Sequence, residues 1–473
     1  MIMTYSLDDS IVAIATSYSN QALSILRCSG KDCIPLVASV FSSPRKLKDA
    51  KGNTTLVGYI MEEKNKIDQV VLCVYRSPKS FTGEDVIEII AHGSSYTTLS
   101  IYNLLIKKGF RAAEKGEFSF RAFSNSKINL TQAEGIRLLS SAKTKSEARL
   151  ALSQVENKFF TLITTIKSQV LNLIAMLDVV LEYPEDEIAF DMQAFQSSSS
   201  KILDDLSRLL KRWERNSLFV NGARVVIAGR ANAGKSSLFN SLLNEERSIV
   251  SHIAGTTRDY IDGHVIFNGL PCHLYDSAGL RCTKDEIEAL GVERAKQIME
   301  NSHLVLYLID GSVERTENEK KEDIEALKAC RTKIIFVFTK KDIAKVQKTS
   351  IQAIKNSHLE TAKYINISVK LDEGIEELVQ MSYEALLEDE KGDEEDVGII
   401  SEMQKTFLDK AKNHFQLAHD YVSLSHIQGA DSMPLDLVME ELEAVLNCLS
   451  GITGEVRSDD VLSAVFSQFC VGK

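Results

Sequence analysis

The sequence has no apolar stretch near the length that crosses a bilayer. A membrane-spanning helix needs about 20 predominantly apolar residues, and the apolar stretch nearest the N-terminus, Ile11 to Ala15, is far shorter. That stretch also has no basic region before it, as a secretory signal would require. We therefore expect a cytoplasmic protein that makes no contact with a membrane.

Paired cysteines are missing as well. The eight cysteines are scattered along the chain, and none belongs to a C-x-x-C pair, the spacing of many zinc sites and thiol redox motifs. A disulfide framework is typical of small secreted chains, whereas this chain has 473 residues. We expect reduced thiols and neither a disulfide framework nor a structural zinc site.

The sequence has fewer basic residues than acidic residues. Lys and Arg number 55 against 66 Asp and Glu, which gives a net charge of -11. This balance excludes a surface coated generally with cations, so any RNA contact has to be a local basic patch. The length and the 44% hydrophobic content indicate about three globular domains with ample core.

The chain does contain a phosphate-binding loop. Residues Gly229 to Ser236 read GRANAGKS and follow the apolar run Val225 to Ala228. A glycine turn between a buried strand and a helix points backbone N–H groups at phosphate oxygens. We predict that Lys235 reaches the β- and γ-phosphates and that Ser236 offers its hydroxyl to Mg²⁺.

Three more elements follow in the order that a GTP-binding domain requires. They are a D-x-x-G element, a guanine-reading element of the N-K-x-D type and an S-A-K-like loop, namely Asp276-Ser277-Ala278-Gly279, Thr339-Lys340-Lys341-Asp342 and Ser368-Val369-Lys370. The Asp342 carboxylate would accept hydrogen bonds from guanine N1–H and the exocyclic amine, which adenine cannot supply. Thr339 stands where Asn is usual, and we expect a weaker side-chain tether there. Four such elements after strand-like runs predict a doubly wound, Ras-like α/β domain.

Composition and periodicity divide the chain into four segments. Residues 1–122 alternate β-rich runs with glycine turns and contain one helical stretch near Thr97 to Lys108, which predicts an α+β domain. The β-rich runs are Ile11 to Thr16, Leu23 to Arg27, Val70 to Tyr75 and Val86 to Ala91. Residues 123–221 predict a bundle of long helices, because no glycine occurs between Arg137 and Asn221. Residues 222–387 hold the nucleotide elements. Residues 388–473 return to helical periodicity, from Ile399 to Leu449, after the acidic run Glu388 to Asp396. The nucleotide domain is therefore predicted to be inserted in a single helical domain, in a multidomain α/β plus α protein.

Motifs outside the nucleotide domain resemble one family. They are Ser80 to Asp85, Gly116 to Phe118, Leu130 to Glu134 and the tail Phe469 to Lys473. Over nearly the whole chain they resemble the MnmE (TrmE) family of tRNA-modification GTPases. That resemblance implies a homodimer joined through N-terminal domains that bind 5-formyltetrahydrofolate or a related folate. It also implies an FAD-containing MnmG-type partner, in a heterotetramer or larger assembly. With that partner the family adds a (carboxymethyl)aminomethyl-type group to C5 of the tRNA wobble uridine.

The resemblance also implies residue roles. Folate contacts would be Arg27, Glu88, Lys127 and Lys473. The catalytic residues would be Glu288, Lys235 and Asn232, with Glu288 positioning water because Leu280 replaces the Gln of Ras-type enzymes. Mg²⁺ would be held by Ser236 and Thr257, and K⁺ by Asn232, Ser251, Ile253 and Thr256. The residues expected around the nucleotide are Asn232, Ala233, Gly234, Lys235, Ser236, Ser237, Ser251, His252, Ile253, Ala254, Gly255, Thr256, Thr257, Asp276, Ser277, Ala278, Gly279, Thr339, Lys340, Asp342, Ser368, Val369 and Lys370.

The sequence leaves open several alternatives for the roles of single residues and for the function of the chain. Arg27, Glu88 and Lys127 could make ordinary surface ion pairs, and Cys470 could be either an inert tail thiol or a nucleophile. The whole chain could instead be a ribosome-assembly GTPase that acts as a switch. It could also be a folate-dependent one-carbon transferase in which GTP binding is regulatory.

Overall fold

The computed structural model describes residues 7–182, 191–244, 262–276, 299, 301–313, 316, 318–319, 332–343, 363–388, 397–428, 434–455, 462 and 465–472. The chain divides into two compact units. Unit 1 comprises Met1–Ser140, Leu152–Leu206 and Glu402–Lys473, and unit 2 comprises Ser141–Ala151 and Ser207–Ser401. The bounds of the four segments stay a prediction.

The described strands fall into two sheets of six. In chain order they are β1 (Ile11–Ile14), β2 (Leu23–Ser29), β3 (Thr54–Glu62), β4 (Asn65–Tyr75), β5 (Val86–His92), β6 (Arg111–Ala112), β7 (Ala223–Gly229), β8 (Asp262–Phe267), β9 (Leu270–Asp276), β10 (Leu304–Asp310), β11 (Lys333–Thr339) and β12 (Lys363–Asn366). The sheet of unit 1 has the order β3-β4-β5-β2-β1-β6, and that of unit 2 the order β12-β11-β10-β7-β9-β8.

The described helices range in length from the 5 residues of α2 to the 30 residues of α8. In chain order they are α1 (Cys33–Ala38), α2 (Pro44–Lys48), α3 (Ser95–Lys107), α4 (Glu117–Ser124), α5 (Leu130–Ser141), α6 (Lys145–Val155), α7 (Lys158–Glu182), α8 (Met192–Asn221), α9 (Lys235–Asn244), α10 (Ile375–Leu387), α11 (Glu402–Gln428) and α12 (Leu435–Thr453). The predicted fold class, an α+β part, long helices and a doubly wound α/β part, is confirmed.

The sheet of unit 1 buries one face. Successive side chains of a strand point to opposite faces, and the set that includes Leu26, Leu72 and Ile89 is completely buried against α1, α2 and α3. Its pairs are antiparallel except β1 with β6. The opposite face is only half-covered, as an antiparallel sheet allows.

The long helices of unit 1 pack through apolar stripes. On α12, Val438, Leu442 and Val445 recur at helical spacing and are fully buried, and this helix packs on α7 and α11. Contrary to the expectation from the sequence, residues Lys158–Val179 of α7 are long and apolar enough to cross a membrane by length and composition. Ile163 and Val170 on α7 are fully buried, although only 28% of the apolar window is buried. The core helix of a soluble protein passes the same test of length and composition.

The sheet of unit 2 positions the nucleotide elements. Its pairs are parallel except for the edge strand β8, and the almost uninterrupted burial of β10 and β11 is typical of parallel strands covered on both faces. Strand β7 lies between β9 and β10, so the strands that follow it in the chain lie on both of its sides. Ligands bind at such a switch point, beyond the carboxyl ends of the strands.

Candidate functional site

The phosphate loop leaves β7 through a position that only glycine can occupy. Gly229 has φ +142°, and a Cβ there would lie 2.5 Å from the carbonyl oxygen of Leu308 on β10. Two further loop residues adopt positive φ, Asn232 at 61° and Gly234 at 92°, a region that Gly enters without strain and Asn more often than most residues. The loop is thereby folded tightly at the end of β7, immediately before α9.

Lys235 is folded back into this loop. Its Nζ donates hydrogen bonds to the carbonyl oxygens of Gly229, at 2.9 Å, and Arg230, at 2.7 Å. The residue is 7% exposed, so the ammonium group is held among backbone acceptors at the first turn of α9. A phosphate at the N-terminus of α9 would add a charged acceptor to this environment.

Ser236 and Asp276 meet across two neighbouring strands. The Ser236 Oγ donates to Oδ2 of Asp276 at 3.2 Å, and β7 runs parallel to β9, at whose end Asp276 is buried. A hydroxyl and a carboxylate are the hard oxygen donors that Mg²⁺ prefers. Within the described residues no group of three or more His, Cys, Asp or Glu side chains could hold a metal, so Mg²⁺ at this point would depend on phosphate oxygens as well.

The guanine-reading element is braced by the loop after β12. Ser368 is buried, and its Oγ donates to Oδ1 of Asp342 at 2.9 Å. Backbone hydrogen bonds between Ser368 and Glu373, both 3.0 Å, close this loop on itself. Asp342 is exposed, so its carboxylate is oriented from behind and accessible to a base.

Thr339 ties the guanine element to the phosphate loop. Its Oγ1 lies 2.9 Å from the carbonyl oxygen of Ala233 and 3.3 Å from that of Ile309. A hydroxyl has one proton to donate where an Asn amide has two, and the shorter distance favours Ala233. The tether that the sequence predicted to be weakened is therefore present, with a single donor.

Asp310 is a member of this site that sequence reasoning missed. It ends β10, and its Oδ2 lies 2.5 Å from Nζ of Lys340, while its Oδ1 accepts from the backbone N and Oγ of Ser312. Burial raises the pKa of Asp310, but the hydrogen bonds from Lys340 and Ser312 outweigh it and leave that pKa below its usual value. Its position directly after an apolar run, like that of Asp276, is the signal that could have found it.

The remaining predicted nucleotide residues are placed only in part. Ala233 is buried, Asn232 and Ser237 are exposed, and the side chains of Val369 and Lys370 are half-buried and exposed respectively. Outside the described residues lie Ser251, His252, Ile253, Ala254, Gly255, Thr256, Thr257, Ser277, Ala278, Gly279 and Glu288. Of the predicted K⁺ ligands, Asn232 alone is therefore described.

In unit 1, Arg27 and Glu88 form a pair on the half-covered face of the sheet. The residues are opposite each other on β2 and β5, with Arg27 Nε 2.9 Å and Nη2 2.8 Å from Oε1 of Glu88. The Arg27 guanidinium also lies 6.0 Å from the ring centre of Phe81 and 5.7 Å from that of Phe118. An ion pair framed by aromatic rings can bind a flat polar ring.

The C-terminal tail reaches the same pair. Arg27 Nη1 donates to the carbonyl oxygen of Gly472 at 3.1 Å, and Val471 forms a β-bridge with Lys115. Phe469 anchors the tail, because it is buried and stacks on Phe466 at 5.6 Å between ring centres. Lys473 lies outside the described residues, one position beyond this contact, and the Cys470 residue is exposed.

Lys127, just after α4, lies against the loop that carries Phe81. Its Nζ donates to the carbonyl oxygen of Pro78 at 2.8 Å, and its side chain runs past Gly83, where a Cβ would lie 3.3 Å from the Lys127 Cγ. The structure therefore brings Arg27 and Glu88 into direct contact, and it places Lys127 against the same loop, residues 77–85.

A network of buried ion pairs holds the loop at residues 77–85 in place. Arg121 is completely buried and donates from Nη1 to both carboxylate oxygens of Glu84, at 3.1 Å each, and from Nη2 to Glu117 at 2.9 Å. Arg111 adds a second cation to Glu117, and Ser29 donates to Glu84 at 2.7 Å. Paired and hydrogen-bonded charges of this kind hold one geometry, here that of the loop bearing Phe81.

Comparisons with known proteins agree along the whole chain. The family model described as the MnmE helical domain matches residues 130–470, and that described as the GTP-binding protein TrmE N-terminus matches residues 10–127. A protein of Treponema denticola named tRNA modification GTPase MnmE is 44% identical over 475 residues, which cover 99% of each chain. Relatives of the same name from Borreliella afzelii and Treponema pallidum are 38% and 35% identical, with coverage of 99% or more of both chains.

Proposed function

The chain belongs to the MnmE family of tRNA modification GTPases, and from that premise we propose that it couples GTP hydrolysis to modification of the tRNA wobble uridine. The observation that carries the proposal is the match over the full length. It joins on one chain a GTP-binding unit to the N-terminal site, by which we mean Arg27, Glu88, the loop at 77–85 and Gly472. The proposed product is a (carboxymethyl)aminomethyl-type group on C5, made in the cytoplasm.

The nucleotide half of the proposal rests on the residues at the carboxyl ends of β7, β9, β11 and β12. Asp342, held by Ser368, selects guanine, and Lys235 with the amides of the phosphate loop binds the phosphates. Ser236 and Thr257 would hold Mg²⁺, with Asp276 acting through water. The ion would neutralise charge that develops on the phosphates during hydrolysis.

K⁺ and Glu288 complete the proposed hydrolytic site. Leu280 has no group that could orient water, so Glu288 is assigned that role. Asn232 is exposed on the phosphate loop with a side-chain oxygen available as a ligand, which supports K⁺ binding beside the β- and γ-phosphates. Ser251, Ile253 and Thr256 would supply the other oxygens.

The folate half of the proposal rests on unit 1. Glu88 and Arg27 present an acceptor and a donor beside the ring of Phe81, which suits the polar edges of a pterin, and Lys127 and Lys473 suit its glutamate tail. Folate, as 5-formyltetrahydrofolate or a related form, would supply the one-carbon unit. The residues of this chain bind and orient it.

The homodimer is supported by the half-covered face of the unit 1 sheet. Register places Val57, Val71, Ile90 and Ile25 side by side across β3, β4, β5 and β2, and Val57 is 67% exposed. An apolar row across four strands suits a second copy of this sheet. The FAD-containing MnmG-type partner would then bind this dimer.

Sedimentation tests the dimer. The Val57→Glu variant should sediment as a monomer, because a charge would be buried in the apolar row, while the unsubstituted chain should sediment as a dimer.

Mass spectrometry of tRNA nucleosides tests the proposal. A strain lacking this gene should lose the C5 group on the wobble uridine, and the intact chain should restore it. Normal nucleosides with accumulated ribosomal precursors would instead establish the ribosome-assembly switch. Restoration by a chain that binds but cannot hydrolyse GTP would establish a transferase with regulatory GTP binding.

A further inference from the structure

Exposed cations line the border of the N-terminal site. We call them the basic ridge, and each is exposed. They are Arg45, Lys46, Lys48, Lys51, Lys79 and Lys127.

Hydrogen bonds to backbone carbonyl oxygens join these residues into one surface. Arg76 donates from Nη2 to the carbonyl oxygen of Lys48 at 2.7 Å and from Nε to that of Ala50 at 3.2 Å. The backbone N of Lys79 donates to the carbonyl oxygen of Arg76 at 2.7 Å. Lys127 reaches the next loop residue, Pro78. The end of α2, the loop at 76–80 and Lys127 are therefore neighbours.

The ridge is positive on a chain that is acidic overall. Residues 44–52 contain four cations and a single acid, Asp49, whereas the whole chain carries a net charge of -11. The positive charge of Arg76 is partly offset by Asp85 at 3.5 Å, and it is not counted in the ridge. Exposed cations clustered on one surface of an acidic protein attract a polyanion.

The ridge adjoins the proposed folate site. Lys79 and Lys127 lie on or against the loop at 77–85, and this loop also carries the Phe81 ring that faces Arg27. A uridine that receives a one-carbon unit has to approach that site, so the phosphates flanking it must pass along its border. Phosphate contacts position a nucleic acid without reading its sequence.

We propose that the basic ridge binds the tRNA backbone and brings the wobble uridine to the folate site. The inference rests on the proposed function, since it assumes that tRNA is the substrate. It assigns the RNA-docking surface to unit 1 and to lysine and arginine side chains outside the nucleotide site. An acidic peptide is the competing ligand for such a surface.

Two triple variants with the same net charge test the proposal. The ridge variant is Lys46→Gln, Lys48→Gln and Lys79→Gln. The control is Lys201→Gln, Lys410→Gln and Lys412→Gln, on the long helices α8 and α11. Binding of purified tRNA is titrated at several salt concentrations with the full-length proteins, and binding of poly-glutamate, an acidic peptide, is titrated in parallel. GTP turnover and thermal unfolding are recorded for both variants.

The ridge variant should bind tRNA about tenfold or more weakly. The slope of its log affinity against log salt concentration should become shallower by about 2 to 3, because it has lost three cations that contact phosphates. The control should bind as the unsubstituted protein does, and both variants should keep normal GTP turnover and unfolding. If the two variants bound tRNA with equal affinity, the proposed role of the basic ridge would be wrong, but the proposed function would be unaffected. Loss of poly-glutamate binding with tRNA binding intact would overturn it in favour of an acidic peptide. Failure of the unsubstituted protein to bind tRNA would overturn the proposed function and the ridge together.

Discussion

The nucleotide site and the N-terminal site are built from sequence in opposite ways. Each nucleotide element is a contiguous stretch, such as Gly229 to Ser236, placed at the end of a parallel strand. The N-terminal site joins Arg27 to Glu88, 61 residues away, and to Gly472, 445 residues away. A local site depends on the strand that delivers it, whereas a distributed site depends on the folding of the whole unit.

The largest effect should come from removing the tail. Deleting residues 470–473 leaves Phe469 in its buried place but removes the Gly472 carbonyl oxygen that Arg27 contacts. We expect modified wobble uridine to fall by about 100-fold or more, as misplaced reacting groups do, while GTP turnover is unchanged. Nucleoside mass spectrometry and a phosphate-release assay measure the two.

A matched variant separates the tail from its thiol. Cys470→Ala keeps the backbone of the tail and should retain modification if the sulfur has no chemical role. If the truncated chain still modified tRNA normally, the N-terminal site would not depend on the distant tail, and the contrast between the two sites would be wrong.

Asp342→Asn should cause the next largest effect, confined to the nucleotide site. Loss of a charged acceptor for two guanine donors should cost about 3 kcal/mol, or about 100-fold in GTP affinity. The affinity for xanthine nucleotides should increase, because the new amide can donate a hydrogen bond to their C2 carbonyl oxygen. Titration of both nucleotides measures this, with Glu373→Gln, in the loop after β12 that braces Asp342, as the control that should bind normally.

Replacing K⁺ by Na⁺ at constant ionic strength should lower GTP turnover by about tenfold or more. Asn232→Ala should abolish this difference but preserve GTP binding, because the loop amides, Lys235 and Ser236 remain. Glu288→Ala should slow turnover with little change in affinity, since water positioning acts on the transition state. Equal rates in the two ions would instead direct attention to Arg258 or Arg281 as the missing positive charge.

The smallest effect should come from Thr339→Val. It removes one hydroxyl without changing shape and should cost about 1 kcal/mol, or about fivefold in GTP affinity. Thr339→Asn should restore or exceed the original affinity, since its amide reaches the Ala233 carbonyl with a second donor available. If Thr339→Val bound GTP normally, the tether would have no influence on the local site.

The sequence was sufficient for elements whose signal is local. The strands before the nucleotide elements, the long helices and α3 follow from periodicity and from contiguous motifs. Strand β3 was missed because Gly58 interrupts it and a glycine suggests a turn. The fold explains the glycine, since a Cβ at that position would lie 2.4 Å from the ring of Phe41. The helical stretch predicted over residues 399–449 is α11 and α12, two separate helices.

Tertiary contacts explain what the sequence could not predict. Arg121 is charged and would ordinarily be placed at the surface, yet Glu84 and Glu117 allow its complete burial. Asp310 belongs to no motif of its own and joins the nucleotide site only because β10 and β11 are neighbours. The meeting of Arg27 with Gly472 depends on the burial of Phe469 against distant helices, which no local pattern indicates.

The contact between Arg27 and Gly472 also sets an order of assembly during synthesis. The two residues leave the ribosome 445 positions apart, which at about 5–20 residues per second is a delay of about 20–90 s. During that interval the nucleotide unit has emerged and can fold, while the N-terminal site lacks its last part. A chain that stops before residue 472 would therefore consume GTP but present an incomplete N-terminal site, because that site forms only after the tail has been made.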